Sequence, residues 1–165
     1  MKFASFRIHG VPGYGLVTDD GLRPVPVPVA ARYPDLRAAL AADALPLVAE
    51  AARRGPQCLG IDEVALEPVI PNPGKILCVG INYLAHIREM GREPPEHPVL
   101  FVRFPDTLVG HEQPLVRPSA STHYDFEGEL AFVIGRRARY VPAEQALGHV
   151  AGYACLMECS LRDFQ

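Results

Sequence analysis

The stretch HYDFEGELAFVIG, residues 123–135, restricts the possible folds more than any other part of the chain. Read as a strand from Phe126 to Ile134, it alternates its side chains between two faces. Phe126, Gly128, Leu130, Phe132 and Ile134 then share one side, and Glu127, Glu129, Ala131 and Val133 the other. Both sides are rich in residues that favour burial, so the strand is expected to be covered on both. One side nevertheless holds two carboxylates about 6.5 Å apart.

A third acid raises the same difficulty. Glu158 interrupts a second apolar run, AGYACLMECSL, which reads as another strand. An unpaired carboxylate in such surroundings costs many kcal/mol, so each must be solvated, protonated or neutralised by a cation. A wet strand edge would answer for Glu127 and Glu129, but the continuation LAFVIG argues against it. One divalent cation would resolve both anomalies together. Three oxygen donors without thiolate or imidazole select a hard ion, Mg²⁺ or Mn²⁺, with positions left for water and substrate.

The rest of the chain reads as short strands and helices punctuated by Gly and Pro. FASFRIH and YGLVTDDGLRPVPV are expected strands, the second turning at Asp19, Asp20 and Gly21, with Pro24, Pro26 and Pro28 making an edge or extended connector. PDLRAALAADALPLVAEAARRG is Ala/Leu-rich and predicts two helices broken near Pro46. PNPG at 71–74 marks a boundary between a small α/β domain, 1–70, and a second domain, 71–165. That second part opens with KILCVGINYLAHIREMG: a buried strand at 75–79, a sharp turn at Gly80, and a short helix capped by Asn82 and ended by Gly91. PVLFVRF predicts a strand, residues 105–122 a loop, and VPAEQALGHV a helix with Pro142 in its first turn. The class is α+β, mainly β.

Several function classes drop out. Sixteen Lys and Arg against nineteen Asp and Glu give no electrostatic case for nucleic acid or an anionic membrane. The opening MKFASFRIHG has no continuous apolar core, so it is neither signal peptide nor membrane span, and a cytoplasmic protein is expected. Cys58, Cys78, Cys155 and Cys159 form no C-x-x-C pair and are expected to be reduced, buried thiols. There is no nucleophile elbow, P-loop or dinucleotide fingerprint, and only Lys2 and Lys75 could form a Schiff base. His86 and Glu89, three apart on the expected helix, share a face. They are either a surface ion pair or a carboxylate-tuned general base for water.

GINYLAHIREMG, DFEGELAFVIG and GYACLMECSLRDFQ, in this order and spacing, resemble the fumarylacetoacetate hydrolase family, and LEPVIPNPGKILCVGINY resembles the join between its small N-terminal and catalytic domains. The resemblance implies a mixed β-roll catalytic domain, often dimeric, here a homodimer. It implies metal ligation by Glu127, Glu129 and Glu158, where many members have Asp at the third position. It further implies His86 and Glu89 as the water-activating pair and Gln165 as a substrate contact.

Members cleave acylpyruvates and related β-diketones, while others decarboxylate oxaloacetate, hydrate or isomerise 2-oxo acids. The partner implied is a small anionic 2-oxo acid, which needs a cation, and Arg103 and Arg162 are the candidates near the motifs. A catalytically silent metal-binding fragment is the alternative outside enzymes. The family pattern runs on past Gln165 with further strands and a lysine, so the 165-residue chain alone is expected to be inactive or nearly so, with a sticky sheet edge.

Overall fold

A computed structural model describes all 165 residues. The chain is mixed α and β and divides into two compact units, residues 1–70 together with 109–165, and residues 71–108.

The first unit begins with a meander of β1 (Lys2–Ile8), β2 (Val11–Thr18) and β3 (Gly21–Pro24), joined at its other edge by the short β4 (Ala65–Leu66), in the order β3-β2-β1-β4. All neighbours are antiparallel. The β2–β3 turn closes where expected. The Thr18 hydroxyl donates to Asp20 Oδ1 at 2.6 Å, and Arg23 pairs with Asp20. These two contacts, the hydroxyl first, hold the Asp20 carboxyl at about 2. Gly21 has φ +138°, and a Cβ there would lie 2.5 Å from the Leu59 carbonyl, so this position tolerates only glycine.

Pro26 and Pro28 do not extend the strand. They open a single helical turn, α1 (Val27–Ala30), because proline fits the first turn of a helix as well as an edge. The two helices expected next are α2 (Leu36–Ala41) and α3 (Leu45–Arg54), with Pro46 in the first turn of α3. Asp35 caps α2 through Oδ1, which accepts from the Ala38 N–H at 2.7 Å. Val48, Ala49 and Ala52 of α3 pack with Leu36 and Ala39 of α2 and with Tyr14, Leu16 and Val25 to form the core. Tyr14 is buried there and donates to the Tyr33 carbonyl at 2.6 Å.

The long antiparallel pair β7 (Tyr124–Ile134) and β8 (Val150–Leu161) completes this unit. Val133 packs against the core just described. The second unit contains β5 (Ile76–Gly80) and β6 (Val99–Arg103), also antiparallel, with α4 (Leu84–Glu89) between them. No helix is long and apolar enough to cross a membrane.

Five expectations are corrected. The apolar face of β7 is uncovered: Phe126 is 70% exposed, and Leu130, Phe132 and Ile134 are likewise open. Only the glutamate face is partly shielded. Of the cysteines, none is fully buried, though all are free; Cys155 faces outward with the apolar side of the hairpin, and Cys58 is exposed in the connection after α3. Asn82 does not cap α4, whose N-cap is Tyr83 without a side-chain bond. Ile81 takes up the turn instead of Gly80, at φ +54°, a left-handed conformation that costs a β-branched residue on the order of 1–2 kcal/mol. The segment after Pro142 is a 3₁₀ helix, Ala143–His149.

Candidate functional site

The pairing of β7 with β8 sets the site. Glu127 stands directly opposite Glu158, and Glu129 opposite Leu156, so all three glutamates point to one face of the ladder. Directly opposed side chains have Cβ atoms about 5 Å apart and diagonal ones about 7–8 Å apart. Asp125, opposite Ser160, shares that face by the same alternation. Glu158 is only 9% exposed, and Glu127 and Glu129 are half-buried. The acids expected from the sequence are thus on one surface, with a fourth beside them.

The neighbours of these acids come from the strand ends. The Ser160 hydroxyl donates to Glu127 Oε1 at 3.1 Å, and Arg162 Nη1 reaches the same oxygen at 3.0 Å. Arg162 also grips Asp125 Oδ2 through Nε at 3.2 Å and Nη2 at 3.1 Å. Nη1 further donates to Gln165 Oε1 at 3.2 Å. The Phe126 backbone N–H, and after it the Arg162 guanidinium, lower the Asp125 carboxyl below its ordinary range. Asp163 turns the other way, accepting from the buried Ser121 hydroxyl at 2.6 Å, which is the main cause of its own lowered carboxyl pKa.

The donor set is right for a hard cation, because Asp125, Glu127, Glu129, Glu158 and Ser160 on the acidic face offer oxygen and no thiolate or imidazole. The carboxylate oxygens do not converge as a ready-made cage: no three His, Cys, Asp or Glu side chains are grouped closely enough to hold an ion. The fit is therefore one of register and donor chemistry, with side-chain rotation left to close the shell.

In the second unit, His86 and Glu89 lie on one face of α4 with Nδ1 and Oε2 3.6 Å apart, both exposed. That separation is longer than a hydrogen bond. Arg103 ends β6, opposite Ile76. A cleft of about 130 Å³ opens elsewhere in the first unit, between Leu40, Asp43 and Leu45 and the segment containing Arg136 and His149; none of the acids lines it.

Sequence reading did not single out Asp125 or Ser121. Strand parity could have found Asp125, two residues before Glu127 on the same face. The Asp125–Arg162 pair spans 37 positions and depends on strand pairing that local pattern does not reveal.

A family model for the C-terminal region of fumarylacetoacetate (FAA) hydrolase matches residues 75–165. An uncharacterized protein of Pyrococcus abyssi is 46% identical over 93 residues, 56% of this chain and 41% of that protein. A mitochondrial oxaloacetate tautomerase of Xenopus laevis is 38% identical over 107 residues, 65% of this chain and 34% of that protein. Among solved structures, maleylpyruvate hydrolase from Sphingobium sp. SYK-6, in complex with manganese(II) and pyruvate, superposes with a TM-score of 0.78 at 26% identity. That superposition covers 98% of this chain and 60% of the hydrolase. The matches thus span about a third to three fifths of the length of these proteins.

Proposed function

The chain belongs to the fumarylacetoacetate hydrolase family, and from that premise we propose that it serves metal-dependent hydrolysis of a C–C bond in an acylpyruvate or related 2-oxo acid. The observation that carries the reading is the register that sets Glu127 opposite Glu158 with Glu129 on the same face. Like charges directly opposite one another destabilise a ladder, so a hard cation is the natural occupant. Glu127, Glu129 and Glu158 would hold Mg²⁺ or Mn²⁺. Such an ion, when bound, acts as a Lewis acid towards neighbouring substrate oxygens.

The chain's own residues supply the proton chemistry. Glu89 faces His86 Nδ1, which favours the tautomer with the proton on that atom and leaves Nε2 to accept one from water. The hydroxide equivalent attacks the distal carbonyl carbon, the C–C bond breaks, and the electron pair stays with the 2-oxo fragment until a proton returns to carbon. Gln165 and Arg103 are assigned to the substrate, the first by amide hydrogen bonds and the second as a counter-charge for its carboxylate.

A second reading has its own support. The mitochondrial oxaloacetate tautomerase of Xenopus laevis is 38% identical over 107 residues, and proton transfer on a 2-oxo acid without bond cleavage would call on the same acids and base. One experiment separates the readings. Protein freed of metal with EDTA is given Mg²⁺ or Mn²⁺ and a panel of acylpyruvates, maleylpyruvate and oxaloacetate, with pyruvate, CO₂ and keto–enol exchange followed separately. Metal-dependent pyruvate release together with an organic acid supports hydrolysis. Keto–enol exchange or CO₂ alone supports the second reading, metal binding without turnover supports a silent fragment, and no metal binding at all overturns the assignment.

A further inference from the structure

We propose that Arg162 is an internal counter-cation that competes with a divalent ion for Glu127 and gives up that contact when the ion binds, with Asp125 holding the displaced guanidinium in reserve. This rests on the metal assignment to Glu127, Glu129 and Glu158 made above.

The guanidinium is bound at two points of different kind. Nε and Nη2 both address Asp125 Oδ2, at 3.2 and 3.1 Å, while Nη1 alone reaches Glu127 Oε1, at 3.0 Å. The backbone of Arg162 is fixed as well, since its N–H donates to the His123 carbonyl at 2.9 Å. Glu127 Oε1 already accepts from the Ser160 hydroxyl. A divalent ion approaching that oxygen meets a positive charge at hydrogen-bond distance, and like-charge repulsion is strong at such range even when partly screened. Only the Nη1 contact need break. A small rotation about the last side-chain bonds leaves the Nε–Nη2 fork on Asp125 and frees Nη1, which keeps its second acceptor, Gln165 Oε1, at 3.2 Å. The planar fork is what allows two acids to share one cation. Asp125 and Glu127 thereby share one positive charge, and Arg162 sets how tightly a metal is held.

The test is calorimetric titration of the 165-residue protein with Mn²⁺, for wild type, Arg162→Gln, Arg162→Lys and Glu129→Gln. Removing the competing charge should tighten Mn²⁺ binding by about five- to thirty-fold in Arg162→Gln. Arg162→Lys keeps the charge but cannot bridge both acids, so its affinity should fall between the two; it also stands in should the Gln variant not fold. Wild-type affinity or weaker in Arg162→Gln overturns the proposal. Tightening in Arg162→Gln with wild-type affinity in Arg162→Lys would trace the effect to charge at a distance and overturn the displacement of a contact. The premise fails separately: if Glu129→Gln binds Mn²⁺ as well as wild type, the metal assignment is wrong, whereas Mn²⁺ binding weakened by Glu129→Gln yet indifferent to Arg162 sinks the competition alone.

Discussion

Replacing Glu158 by Gln should change the stability of the protein in opposite directions with and without metal. Glu158 is 9% exposed and directly opposite Glu127. With Cβ atoms about 5 Å apart and carboxylates near 6 Å, two unit charges repel by about 1.4 kcal/mol at an effective dielectric of about 40. Arg162, 3.0 Å from Glu127, and the contacts Glu158 itself makes offset part of this, so the gain when Glu158 loses its charge is at most about 1 kcal/mol. Glutamine has nearly the same volume, so packing is little disturbed. For a chain of this length 1 kcal/mol moves the melting point by roughly 2–4 °C, so Glu158→Gln should melt higher in EDTA by up to that much. With Mn²⁺ at a hundred times its dissociation constant the wild type gains about 2.7 kcal/mol, and the variant, short of one anionic donor, should gain far less. The order of the two melting points then reverses. Scanning fluorimetry or calorimetry in EDTA and in Mn²⁺ reads both arms. A variant that melts below wild type in EDTA and is equally stabilised by Mn²⁺ would refute the argument, because Glu158 would then be a structural acid with no part in cation binding.

Three further outcomes are expected. His86→Ala should lower any measured turnover by roughly 10²–10⁴ while leaving Mn²⁺ affinity unchanged in titration; a large loss of metal instead would make His86 a ligand. Burial, followed by the charge of Asp35 and the nearby Tyr33, pushes the Tyr14 hydroxyl up to about 12 from 10. The stability this gives is complete below pH 10 and is lost as pH rises towards 12, on the order of 3 kcal/mol in all, and urea unfolding of Tyr14→Phe should be flatter over that window. Leu22, with no exposed surface, should cost about 2–5 kcal/mol on truncation to Ala, seen as a lower urea midpoint with unchanged slope.

Alternation was enough to read the acidic face of β7, because period two is a local property of the sequence. The Asp-Asp-Gly turn, the break before Pro46 and the two-helix pattern were legible for the same reason: each is decided within a few residues. Partners at long range were not. Arg162 meets Asp125 and Glu127 only once β8 is in register, and nothing near residue 162 announces it. Hydrophobicity does not report exposure on this strand, since Phe126, Leu130 and Phe132 are apolar and yet open, and Cys155 follows them outward. The turn at Ile81 went unseen because a β-branched residue with positive φ contradicts its own propensity, and such strain is visible only in three dimensions.

The two faces of the β7–β8 ladder cannot be chosen independently. A slip of one residue would send every side chain of one strand to the opposite face, moving Glu158 away from Glu127 and carrying Met157 in among the acids. What prevents this lies at the other end of the hairpin. Val133, paired with Gly152, packs into the core of the first unit, and a Cβ on Gly135 would fall 3.5 Å from Leu40. The ladder is also irregular between Val133 and Ile134, and a register shift at one point resists sliding at every other. Glu127 is six residues from Val133, about 20 Å along the strand, yet its partner is settled by that anchorage. The core of β1–β3 and α2–α3 therefore does more than stabilise the unit. By fixing which face of β7 turns inward at Val133, it fixes which face holds the acids at Glu127 and Glu129, and hence whether three carboxylates can serve one cation.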